Sequence, residues 1–127
     1  LFGDANAEYR ASLGRYYEHG PPADWEQRYI SAYASSHPLE DWAETWSHYL
    51  LMHDALETAH AHHLIDTPPL SCALVERVTQ WQAVSVGLNE MNQSVGREDA
   101  YPFVISAQVH NKLAYVDAMI SRLRTLQ

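Results

Sequence analysis

Tyr33-Ala34-Ser35-Ser36-His37-Pro38-Leu39-Glu40-Asp41-Trp42-Ala43-Glu44 is a helix start preceded by a tyrosine. Pro38 suits the first helical position, where a missing N–H costs nothing. His37 precedes a proline, is therefore pushed towards an extended conformation, and fits the N-cap. Glu40 then falls in the first turn, and Glu44 lies one turn further along the same face. Tyr33 is close enough in the chain to fold back over that face. The helix opened here is expected to be the longest, running from Pro38 to about Leu64. Trp42, Trp46, Tyr49, His53, Leu56, His60 and His63 recur at three- and four-residue intervals on its apolar side. Glu40, Glu44 and His48 form an acidic stripe beside it.

Outward from this helix the pattern stays helical. Asp4 to about His19 reads as a first helix, with Asp4 as cap, Tyr9, Leu13, Tyr16 and Tyr17 at helical spacing, and Gly20-Pro21-Pro22 as the stop. Ala23 to Ser36 reads as a second, capped by Asp24. Asp66-Thr67-Pro68-Pro69 is a turn, and Ser71 to about Val95 is another helix, interrupted in propensity by Gly87. Tyr101 to Ile105 reads as a packed loop. Ser106 caps a last helix that turns Val109, Leu113, Val116, Ile120 and Leu123 inward. No stretch alternates strictly. The expected fold is all-α: a compact bundle of four to five helices around the long central one, forming a single helical domain over residues 1–127.

A chain of 127 residues with 46% hydrophobic residues and four Trp can bury a core. Its net charge of −8 argues against nucleic acid or an anionic membrane as partner. No apolar run is long enough to span a bilayer, and no signal peptide is read. The single cysteine, Cys72, makes no intrachain disulfide, reads as an ordinary buried thiol, and fits a reducing, cytoplasmic setting. His53 pairs in sequence with Glu57, and His60, His62 and His63 cluster at the helix end. Their spacing does not give three or four convergent ligands, so adventitious metal binding or none is expected.

Taken singly, the residues of the opening stretch allow bland readings. Glu40 completes a helix cap, Glu44 is a solvated acid or a partner of His48, and Tyr33 is a core aromatic. Together, Tyr33…His37-Pro38-x-Glu40-x-Trp42-Ala43-Glu44 resembles the segment that carries the third zinc ligand in gluzincin metallopeptidases. With Tyr29 to Tyr33, Tyr49-Leu50, Leu88-Asn89 and Tyr101-Pro102-Phe103-Val104, most of the chain resembles the C-terminal part of a bacterial zinc-binding metallopeptidase family. Members of that family carry a zinc ribbon and a His-Glu-x-x-His helix. The resemblance implies that Glu40 is a zinc ligand and that Glu44 holds a ligating histidine through its far ring nitrogen. It also implies that Tyr33 donates to the oxyanion formed during peptide cleavage.

The departure from the family is that no His-Glu-x-x-His occurs in the chain, so two ligands and the general base are absent. The chain also begins at Leu1. It is therefore expected to be a fragment, inactive alone, with zinc bound only in the intact protein. Its partners would be the missing N-terminal part and, if active, a peptide or protein substrate. Uncovered apolar surface would drive a homo-oligomer. The alternative is a non-catalytic helical interaction or scaffold domain.

Overall fold

The computed structural model describes all 127 residues, Leu1–Gln127. It is all-α, as the periodicity requires, with five α-helices and no strand: α1 (Tyr9–His19), α2 (Trp25–Arg28), α3 (Pro38–Ala61), α4 (Leu74–Ser94) and α5 (Ala107–Thr125). Short 3-10 turns occupy Tyr33–Ser36 and Pro69–Ser71. No helix is long and apolar enough to cross a membrane. The chain divides into two compact units, one of residues 1–49 with 103–127 and the other of residues 50–102.

In the first unit, the core is Ile30, Ala34, Tyr49, Val109, Leu113 and Val116. α5 starts at the expected cap: Ser106 Oγ accepts from Val109 N at 3.2 Å and donates to Gln27 O at 2.8 Å. Its inward face is shorter than expected, because Ile120 is only half-buried and Leu123 is exposed.

Two of the expected helices differ from the sequence reading. α1 starts at Tyr9 rather than near Asp4. Asp4 instead closes a turn, its carboxylate accepting from Asn6 N at 2.9 Å and its carbonyl from Ala7 N at 3.1 Å, and the cap role passes to Glu8. The helix expected over 23–36 breaks into α2 and a separate 3-10 turn. Tertiary donors take its last carbonyls: Ser106 Oγ binds Gln27 O, and Lys112 Nζ binds Arg28 O at 2.7 Å. Serine hydroxyls then compete for the backbone of the next turn, Ser31 Oγ accepting from Ala34 N and Ser35 Oγ donating to Ala32 O.

The buried stripe over the first turns of α3 is polar. Asp41, Thr45 and His48 face inward, while Trp42 and Trp46 are half-buried. This corrects the expectation that His48 belongs to an acidic surface and the tryptophans to the core.

In the second unit, the later turns of α3 and α4 bury Met52, Leu56, Ala59, Leu74, Val78 and Trp81. α3 stops at Ala61 because His63 adopts φ 59°, and Leu64 N donates back to Ala59 O at 2.8 Å and His63 N to His60 O at 3.0 Å. This is the left-handed terminal motif usually built on glycine. α4 runs unbroken through Gly87. The loop after it is pinned by Asn89, whose amide donates to Tyr101 O at 2.7 Å and accepts from Tyr101 N at 2.9 Å. Tyr101 is buried edge-on against Trp81, ring centroids 4.8 Å apart.

Candidate functional site

The first turn of α3 is fixed from both sides of His37. Its extended backbone (φ −163°, ψ 149°) is the one the following proline imposes. Its ring is buried, Nδ1 accepting from Leu39 N at 3.0 Å and Nε2 donating to Ala7 O at 2.8 Å. An amide can only donate and a carbonyl only accept, so these two partners select the Nε2–H tautomer. His37 thus caps α3 and ties it to the segment leading into α1.

Glu40 follows on the outer side of that turn and is half-buried. Its carboxylate accepts the Tyr9 hydroxyl, which reaches it from the first residue of α1. Tyr33 stands in the same cluster, its phenol pushed upward by burial and then by the neighbouring Glu40 carboxylate. The hydrogen bond to Glu40 is the main reason that the Tyr9 phenol also lies well above its ordinary range. Both hydroxyls are therefore protonated donors at neutral pH. The Tyr33 ring is held in turn by Tyr16, edge-on at 5.9 Å. Glu40 is neither sealed among apolar groups nor turned away from Tyr33.

Glu44, one turn on, accepts from Ser31 Oγ at 2.8 Å, and the same oxygen lies 3.8 Å from His48 Nε2. About a third of its side chain is exposed. His48 is buried and packs edge-on against Phe103 at 4.7 Å. Burial pushes its pKa below the ordinary imidazole value, and the Glu44 charge opposes this.

Beneath Glu40 the next residue, Asp41, makes a buried ion pair with Lys112 of α5 at 2.6 Å. Lys112 also donates to Arg28 O and sits 4.5 Å above the Tyr29 ring centre. Burial pushes the Asp41 carboxyl upward, with Lys112 pulling against it. This pair fixes the rotation of the first α3 turn, and hence the side on which Glu40 emerges.

Tyr33 thus stands beside Glu40, and Glu44 lies one turn on against Ser31 and His48, while two neighbours went unread in the sequence, Tyr9 and the Asp41–Lys112 pair. Neither leaves a periodic signal, since the contacts join residues 31 and 71 positions apart. The remaining metal-capable groups do not assemble. His53 Nε2 lies 3.1 Å from Glu57, whereas His62 and His63 are exposed at the helix end. Cys72 is half-buried rather than buried, its thiol directed at Pro68 O. No group of three or more His, Cys, Asp or Glu could hold a metal ion. What this surface could offer zinc is the single accessible carboxylate of Glu40, which is not a complete donor set.

The family described as "Putative zinc-binding metallo-peptidase" matches residues 1–119. An uncharacterized protein of Mycobacterium bovis and two uncharacterized proteins of Mycobacterium tuberculosis are each 39% identical over 130 residues. The alignment covers 97% of this chain and 38% of each relative, so the chain spans well under half the length of the curated proteins it matches. No solved structure matches.

Proposed function

Since this chain belongs to that zinc-binding metallo-peptidase family, we propose that it supplies one zinc-ligating carboxylate, Glu40, to the active centre of a zinc-dependent peptidase. In this reading the remaining ligands and the general base lie outside residues 1–127. These residues alone do not cleave peptides. The observation that carries the reading is the cluster at the start of α3, where an accessible carboxylate on a doubly anchored helical turn is flanked by the hydroxyl of Tyr33.

Zinc, when bound, would supply Lewis-acid chemistry at the scissile carbonyl. The chain's own residues do the rest of what is proposed here. Glu40 presents its carboxylate from a helical turn held by the His37 cap and the Asp41–Lys112 pair. Tyr33 keeps its proton at neutral pH and donates it as a hydrogen bond to negative charge developing on the substrate oxygen. Glu44, steadied by Ser31, offers its exposed side as acceptor for the far N–H of a ligating histidine.

The test uses the complete polypeptide encoded by the gene. Glu40→Gln should copurify with on the order of one zinc ion per chain fewer than wild type, any zinc held by a ribbon being left in place. Tyr33→Phe should keep zinc and lose about 10²–10³-fold in turnover. Full zinc content in Glu40→Gln would overturn the reading and favour a non-catalytic helical module.

A further inference from the structure

We propose that Tyr9 is a positioning residue for the Glu40 carboxylate, a hydroxyl clamp brought by α1 that sets the orientation in which Glu40 meets the metal. The inference rests on the reading of Glu40 as a zinc ligand and goes beyond it, because nothing in the motif around α3 includes Tyr9.

A glutamate in the first turn of a helix has several rotamers, and a ligand left free to sample them loses entropy on binding. A hydrogen bond from a fixed donor removes that freedom, as outer partners of metal ligands commonly do. Tyr9 has the attributes of such a donor. Its hydroxyl is bonded to Glu40 Oε1. The carboxylate keeps further lone pairs for a metal.

The backbone that carries Tyr9 is latched to α3 at successive points. Phe2 packs edge-on against Trp42 at 5.1 Å. Gly3, at φ +90°, crosses Pro38 so closely that a Cβ there would sit 3.3 Å from the proline ring. Ala7 O receives the His37 ring, and the Tyr9 ring lies edge-on to the same histidine at 5.0 Å. The donor's position is therefore determined by the element that carries the acceptor. Tyr9 itself is 37% exposed, so its hydroxyl is not needed to fill a core. A site hydroxyl donating into a carboxylate, on a segment strapped across that carboxylate's own helix, is what orientation of a ligand requires.

The experiment measures zinc affinity of the complete polypeptide by chelator competition, together with the visible spectrum of the cobalt-substituted protein. Tyr9→Phe keeps the ring on His37 and removes only the hydroxyl. It should weaken zinc binding about 10–100-fold and shift the cobalt bands. Ala11→Gly loosens the same helix through its backbone and leaves every hydroxyl in place, so it should bind zinc as wild type does. If Glu40→Gln loses zinc while Tyr9→Phe binds it with wild-type affinity and spectrum, the clamp is refuted and the ligand reading stands. Equal weakening in Tyr9→Phe and Ala11→Gly, with unchanged cobalt bands, also refutes the clamp. A zinc content in Glu40→Gln equal to that of wild type overturns both.

Discussion

Replacing Lys112 by methionine removes an ammonium and keeps most of the buried stem. In the folded protein Lys112 and Asp41 are 5% and 1% exposed, and their charged atoms are 2.6 Å apart. Without the ammonium, Asp41 has one weak side-chain donor left, Thr45 Oγ1 at 3.4 Å. It then stays charged in a dry site or takes up a proton. The second route bounds the cost. Protonating at pH 7 a carboxylate whose ordinary pKa is 3.8 costs about 4 kcal/mol, at about 1.4 kcal/mol per unit. Loss of the bond to Arg28 O adds about 1 kcal/mol. The expected destabilisation at pH 7 is about 3–5 kcal/mol, in the range for breaking a buried pair from one side. Because protonation becomes easier in acid, the deficit should shrink as pH falls from 7, by about 1.4 kcal/mol per pH unit for as long as Asp41 of the wild type keeps its charge, and then level off. Urea unfolding of wild type and Lys112→Met at several pH values measures this. A loss below about 1 kcal/mol, or one independent of pH, would refute the assignment of Asp41 as a charge that depends on Lys112.

Burial pushes the Tyr101 phenol up to about 12 from 10.0. The unfolded chain then ionises first, and about 2–3 kcal/mol of stability should disappear as pH rises from 10 to 12, less in Tyr101→Phe. His48 is shifted the other way. The unfolded state takes its proton first, so stability should fall as pH drops below the ordinary 6.5, and His48→Gln should flatten that limb of the urea-midpoint profile. Asn89→Ala leaves the Tyr101 N–H and C=O without their amide partner and should cost about 2 kcal/mol in urea unfolding. His37→Ala removes the α3 cap and the bond to Ala7 O. It should cost about 1–2 kcal/mol by the same measurement.

What the sequence made legible was local. Pro38 implied the extended His37 and the helix start, and Ser106 and Gly20 marked a cap and a stop that the chain uses. These are effects of one or two residues on their own backbone, and no distant partner overrides them. The larger failures lie where a distant partner wins. Helix propensity continues past Arg28, but Lys112 and Ser106 capture the carbonyls that a longer helix would have used. Trp42 and Trp46 suggest an apolar inner face, yet the single lysine of α5 selects Asp41 for the interior and turns the helix accordingly. The histidine at position 63 ends α3 in a left-handed conformation that composition assigns to glycine or asparagine. At the candidate site, Glu40, Glu44 and Tyr33 share one stretch and were legible from spacing and resemblance. Tyr9 was not, because its hydroxyl meets Glu40 only through the path taken by the chain between Gly3 and Ala7.

The most direct test is the position of the metal itself. Crystals of the complete polypeptide, measured on either side of the zinc absorption edge, should show a strong anomalous peak about 2.0–2.2 Å from a Glu40 carboxylate oxygen, apart from any in a zinc ribbon. A peak on the histidines at the end of α3 instead, with Glu40 bound only to tyrosine hydroxyls, would contradict the account.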